Sequence, residues 1–85
     1  MTKYTVYLSK KAQLTLDRLS DHLVAPILFA IEKLSDNPRP AGCKKLKGQY
    51  GYRIRVGNYR IIYDIIDNKL IVEIIAIGNR KDIYR

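Results

Sequence analysis

The strongest constraint in the chain is the dipeptide Gly57-Asn58, set between two segments that alternate in polarity. These are Tyr52-Arg53-Ile54-Arg55-Val56 and Tyr59-Arg60-Ile61-Ile62-Tyr63. Gly and Asn tolerate the positive φ that a two-residue hairpin turn demands, so the pair predicts a tight reversal between two strands. Successive side chains leave a strand on opposite faces. Arg53 and Arg55 therefore share one face, Ile54 and Val56 take the other, and the return strand brings Arg60 back beside the first two arginines. A flat surface that displays guanidiniums beside aromatic rings suits a polyanion whose bases can stack.

The surrounding charge points the same way. No acidic residue occurs between Asp36 and Asp64, whereas Arg39, Lys44, Lys45, Lys47, Arg53, Arg55 and Arg60 are all basic. The whole chain of 85 residues carries a net charge of +8. Such an excess implies nucleic acid, an anionic membrane surface or an acidic protein as partner. A membrane fits least well, because the basic cluster lies on a strand pattern and not on an amphipathic helix. No apolar run approaches the ~20 residues of a spanning helix, and the first residues lead into a strand pattern, unlike a signal-peptide core. A lone cysteine, Cys43, can form neither an internal disulfide nor a zinc site, which fits a reducing cytoplasm.

The remaining elements follow from periodicity. Thr5-Val6-Tyr7-Leu8 reads as a short strand. Ser9 is placed to cap a helix over about residues 10–22, with Ala12, Leu16, Leu19 and Leu23 as its apolar stripe. Pro26 suits a first helical turn, which predicts a second helix over about residues 25–35 that buries Ile27, Leu28, Ile31 and Leu34. The run Asp36-Asn37-Pro38-Arg39-Pro40 ends it. Ile65 and Ile66 extend the return strand, Asp67-Asn68 makes another turn, and the nearly continuous apolar run over residues 70–77 predicts a central strand covered on both faces for much of its length. The expected fold is α+β, β-α-α-β-β-β: one domain over residues 1–85, a mostly antiparallel sheet with an N-terminal helical hairpin on one face. The arginines should lie on the uncovered face. Tyr50, Tyr52, Tyr59 and Tyr63 are expected to pack within the sheet or across strands.

Composition narrows the chemistry. One histidine (His22, expected at the surface), one cysteine and no carboxylate cluster at ligand spacing argue against a metal centre. Gly42, Gly48 and Gly51 do not make a phosphate loop. Chemistry by Lys, Arg and Tyr on an RNA phosphate remains. RNA carries its own nucleophile, the 2′-OH, so cleavage requires a proton acceptor, positive charge on the developing phosphorane and a proton for the leaving 5′ oxygen.

Three segments together, Lys45-Leu46-Lys47-Gly48, Tyr52 through Tyr63, and Ile77-Gly78-Asn79-Arg80-Lys81-Asp82-Ile83-Tyr84, resemble the RelE/ParE superfamily of bacterial toxins. They look most like its RelE branch, and the match spans the chain in length and element order. The resemblance implies the toxin of a type II toxin–antitoxin pair: a ribosome-dependent mRNA endoribonuclease, free of metal and cofactor, cytoplasmic, and inhibited by a RelB-like antitoxin. It also implies a possible corepressor role with that antitoxin on operator DNA. Carried over by position, Arg53 and Arg55 match basic residues that bind phosphate and assist the 2′ proton transfer. Arg60 matches the arginine that stabilises the transition state. Arg80 matches one that serves the leaving group, and Tyr84 a tyrosine that stacks on or orients the base. Lys44, Lys45 and Lys47 would make general RNA contacts. Many relatives have histidine where this chain has Asn79, which shifts weight onto Arg80. Two other readings stay open: a ParE-like inhibitor of DNA gyrase, and a non-catalytic binding module derived from a toxin.

Overall fold

The computed structural model describes residues 3–47 and 51–79. In chain order the elements are β1 (Thr5–Leu8), α1 (Lys10–Arg18), α2 (Asp21–Asp36), β2 (Lys44–Lys45), β3 (Tyr52–Val56), β4 (Tyr59–Ile66) and β5 (Ile71–Asn79), with a 3-10 turn at Asp67–Lys69. The strands form one five-stranded sheet in the order β1-β5-β4-β3-β2. β1 runs parallel to β5, and the other pairings are antiparallel. The α+β architecture is the expected one, with one strand more: Lys44-Lys45 pairs with β3 as a short edge strand.

Both helices lie on one face of the sheet, α1 against β5 and β1, α2 against β1 and β3. Ser9 caps α1 as its sequence position suggested, its Oγ accepting from the Ala12 amide at 3.0 Å. The same hydroxyl donates to the carbonyl of Ile75 at 2.7 Å, tying the helix start to β5. α1 then stops at Arg18, short of the expected residue 22, because Leu19 and Ser20 are extended and Ser20 already occupies the N-cap of α2. α2 correspondingly begins at Asp21, earlier than Pro26 suggested, and Pro26 sits inside it. The N–H that Pro26 lacks would have bonded the carbonyl of His22, in the exposed first turn where water can take its place. Ile27, Ile31 and Leu34 form the buried stripe. Leu28, expected beside them, is 44% exposed, since one residue on from Ile27 is a rotation of about 100° away from the sheet.

The core joins Ala12 and Leu16 of α1 and the α2 stripe to Ile54, Ile61, Tyr63, Val72, Ile74 and Ile77 of the sheet. A bulge in β5 makes that set possible. Ile62 pairs with Ala76 and Tyr63 with Ile74, so Ile75 is an extra residue and the alternation reverses there. Val72, Ile74 and Ile77 can then all face the helices. β5 lies inside the sheet between β1 and β4, the central position its apolar run predicted, but the expected cover on both faces is incomplete: α1 and α2 take one face, and Glu73 on the other is exposed.

Two glycines shape the hairpin that carries the arginines. Gly57 opens the predicted turn with φ 59°, the conformation that needs no Cβ. Gly51, just before β3, has φ 90°, and a Cβ there would land on the backbone carbonyl of Tyr63. Close strand approach and left-handed backbone coincide at that residue.

Candidate nucleic-acid interface

Register decides which cations meet. Arg53 pairs with Ile62 and Arg55 with Arg60, while Lys44 pairs with Arg53. Directly opposed residues in a ladder share a face. Ile54 and Ile61 belong to the core beneath the helices, so Lys44, Arg53, Arg55, Arg60 and Ile62 lie on the face opposite α1 and α2. The expected convergence of Arg53, Arg55 and Arg60 is what the fold produces. Lys44 joins them from β2. Lys45 opposes Tyr52 and so takes the other face, and Lys47 is exposed in the turn beyond β2. Arg80 and Tyr84 lie outside the described residues.

The rows of this face differ in charge. The row nearest the hairpin turn holds Arg55, Arg60 and, on β5, Gly78, which presents no side chain. The next holds Lys44, Arg53, Ile62 and Ala76. The third brings Asp64 against Glu73, with Tyr7 of β1 beyond. The cations therefore run obliquely from Arg60 on β4 through β3 to Lys44 at the β2 edge, and the carboxylates occupy the opposite corner.

Burial separates the arginines. Arg55 is exposed and Arg60 half-buried, whereas Arg53 is only 8% exposed. A shallow depression of about 260 Å³ opens beside Arg53, lined by Ala41, Gly42, Lys44, Arg53, Ile54 and Arg55. Ala41 was not singled out from sequence, and Gly42 was considered only as part of a phosphate loop that the chain does not make.

Arg39 is removed from the cationic set. Its guanidinium grips Asp67 through both terminal nitrogens, at 3.3 and 3.0 Å, and its Nε donates to the Tyr52 hydroxyl at 3.2 Å. It also stacks over the Tyr52 ring, 5.2 Å from the centroid. Tyr4 donates to the same carboxylate at 2.7 Å. These bonds hold Asp67 below the usual carboxylate range, the Arg39 contact first and the Tyr4 contact second. Nothing local in sequence announced this group, since its members lie on four separate segments. Three of the four tyrosines pack as expected: Tyr52 and Tyr63 stack with centroids 5.9 Å apart, the buried Tyr63 hydroxyl donates to the Pro38 carbonyl at 2.8 Å, and Tyr59 packs against the core, while Tyr50 lies outside the described residues. Burial, with Cys43 adding to it, pushes the Tyr63 phenol well above its ordinary pKa. Among the described residues, no three His, Cys, Asp or Glu side chains stand where they could share a metal. His22 is exposed, 3.1 Å from the Ser20 hydroxyl.

A cationic sheet face opposite two helices is a fold feature that can be compared. The profile of the ParE toxin of type II toxin–antitoxin systems matches residues 6–84. The chain belongs to that toxin family. Toxin RelG of Mycobacterium tuberculosis is 34% identical over 85 residues, 96% of this chain and 97% of that protein. A protein of Escherichia coli described as RelE-like toxin is 33% identical over 58 residues, 64% of this chain, and the match spans 61% of its own length. Among solved structures, the archaeal RelE–RelB complex from Pyrococcus horikoshii superposes with a TM-score of 0.82 at 27% identity, covering 96% of this chain and 99% of that one. The chain is thus a RelE-like toxin of type II toxin–antitoxin systems. Among the described residues, no helix is long and apolar enough to cross a membrane.

Proposed function

We propose that this toxin is a metal-independent endoribonuclease that cleaves messenger RNA on the ribosome. The observation that carries the reading is the cationic face itself: Arg53, Arg55 and Arg60 share the side of the sheet opposite α1 and α2. In the proposed reaction the 2′ oxygen attacks the adjacent phosphorus as its proton passes to a water molecule, a transfer that Arg53 and Arg55 assist by resemblance. The O2′–P bond forms, the P–O5′ bond breaks and the 5′ oxygen takes up a proton, leaving a 2′,3′-cyclic phosphate. The guanidiniums stabilise the extra negative charge of the phosphorane, for which their planar fork is well matched. Arg80 serves the leaving group and Tyr84 the base, by resemblance. Arginine is a poor proton donor at its ordinary pKa, so the ribosome's main contribution is to hold the message in the reactive geometry.

The partner that silences the toxin is a RelB-like antitoxin whose acidic and apolar segment covers the basic surface. Both act in the cytoplasm, with operator DNA as a further ligand of the pair. The match to the ParE profile keeps gyrase inhibition as the second reading.

The test maps message ends by primer extension in a translation reaction, beside naked RNA and a gyrase supercoiling assay. Cuts only where ribosomes occupy the message are expected, and Arg60→Ala should lower the cleavage rate by ~10²-fold or more, as loss of one transition-state donor does. Intact message with inhibited gyrase would transfer the chain to the second reading.

A further inference from the structure

β1 lies at the edge of the sheet, with β5 on one side of it. The amides of Thr5 and Ser9 donate to the carbonyls of Leu70, just before β5, and Ile74, within it, at 2.8 and 2.9 Å. Backbone groups alternate in direction along a strand, so those of Val6 and Leu8 point away from β5. Among the described residues nothing meets them. Tyr4 differs: its amide donates to the Ser35 carbonyl at 2.9 Å and its carbonyl accepts from the Ser35 hydroxyl at 2.7 Å, so the end of α2 closes the edge there. The open stretch carries apolar side chains. Tyr7 is 55% exposed and Leu8 36%, at positions where charges or proline commonly blunt an edge.

Charge indicates what fits. Around this corner Lys3, Lys10 and Lys11 balance Asp36, Asp64 and Glu73, so it lacks the excess that draws an acidic segment to the β2–β4 corner. A balanced surface can meet a copy of itself. With two β1 strands antiparallel and the two-fold axis at Tyr7, Val6 opposes the partner's Leu8, and the pair exchanges both backbone hydrogen bonds. Tyr7 then faces the partner's Tyr7 in a close, non-hydrogen-bonded pair that favours aromatic contact. The same register sets Tyr4 opposite the partner's Lys10. Asp36 follows Ser35 and holds Lys3 only in an exposed pair at 3.6 Å, so it comes to the side of the partner's Lys10. Lys10 itself has no carboxylate at ion-pair distance among the described residues. Symmetry makes that contact twice. The cations of β2, β3 and β4 go to the far ends of the joined sheets, where the copies repel least.

We propose that β1 is a self-association edge, at which two copies of this chain pair their β1 strands antiparallel about Tyr7 into one continuous sheet. The axis stands perpendicular to the sheet, so both cationic faces look the same way and neither covers the other. This pairing is independent of the proposed function. The paired stretch is short, well under a standard interface of about 1,600 Å², so the dimer is weak and forms at roughly 10–100 µM. Each copy carries +8 overall, so added salt tightens it.

Sedimentation equilibrium on the full chain, from about 1 µM to 1 mM and at several salt concentrations, tests the pairing. Tyr7→Lys and Tyr7→Glu each set like charges across the axis, and each alone should weaken the dimer about tenfold or more. Mixed in equal amounts, the two variants should associate at least as well as the wild type. Leu8→Pro deletes one outward amide per copy and leaves the β1–β5 ladder intact, since an edge strand accepts proline there. It should weaken the dimer about tenfold. Melting curves accompany each variant, and if Leu8→Pro does not fold, the Tyr7 pair, changed at an exposed side chain, decides.

A monomer at every concentration and salt, or a dimer indifferent to Tyr7, would overturn the proposal. So would a mixture of the two Tyr7 variants that stays monomeric, because the axis would then lie elsewhere. Antitoxin affinity lowered by Leu8→Pro, with no self-association of the wild type, would give the edge to an antitoxin strand and overturn it equally.

Discussion

Gly51→Ala should be among the most damaging single-methyl additions this chain can receive. The added Cβ would fall on the carbonyl oxygen of Tyr63 and 3.1 Å from its carbon, atoms of the backbone that cannot swing aside. Tyr63 cannot retreat either: it is fully buried, stacked on Tyr52 and bonded to Pro38. Two costs add. A non-glycine residue at positive φ costs about 1–2 kcal/mol, and forcing an extra carbon into packed surroundings costs about 1–3 kcal/mol more. The smaller conformational freedom of alanine in the unfolded chain returns about 0.4–1 kcal/mol. The net expectation is near 3 kcal/mol, which in a domain of this size lowers Tm by roughly 12–24 °C. Gly57→Ala isolates the conformational part, because Gly57 also has positive φ but no atom lies within 4 Å of its Cβ position. That variant should lose about 1 kcal/mol or less. Thermal melts followed by circular dichroism compare the two directly. Matching melting temperatures for Gly51→Ala and Gly57→Ala would refute the steric argument, and with it the view that glycine at 51 is what lets β3 lie close against β4.

Two further substitutions probe the supports of the cationic face. Tyr63→Phe removes the buried hydrogen bond to the Pro38 carbonyl and should cost about 1 kcal/mol, read as a lower urea midpoint at unchanged slope; an unchanged midpoint would mean that the bond contributes nothing net. For Asp67→Asn the pH dependence is the informative quantity. Arg39 and Tyr4 depress the folded-state pKa of Asp67, so its stabilisation is present above the ordinary carboxylate pKa of about 4 and is lost as pH falls through the lower folded value. The wild type should therefore melt above Asp67→Asn at neutral pH, and the gap should close in acid. A gap that persists unchanged at the lowest pH would show that the carboxylate's charge is irrelevant to it.

Local chemistry determined a great deal by itself. Alternation around Gly57-Asn58 separates arginine from isoleucine whatever the strands later pack against, because the two-residue period is a property of the extended backbone. Ser9 needs only its own hydroxyl and the next turn to cap α1. The acid-free stretch from 37 to 63 already made one region cationic. Tertiary structure decided the rest, for reasons no local pattern contains. Register across β2 selects Lys44 for the face and turns Lys45 away, since a shift of one residue would exchange them. The β5 bulge, which lets Val72, Ile74 and Ile77 share the core, depends on pairing with β4. Arg39 looked like part of the basic cluster until Asp67, 28 residues away, took it out of the set. Pro26 sits within α2 because its missing hydrogen bond falls where water can replace it, a matter of which side of the helix the sheet covers. Sequence periodicity assigns a side chain to a face; only the packed sheet determines which charges on that face stand together and which are neutralised from elsewhere.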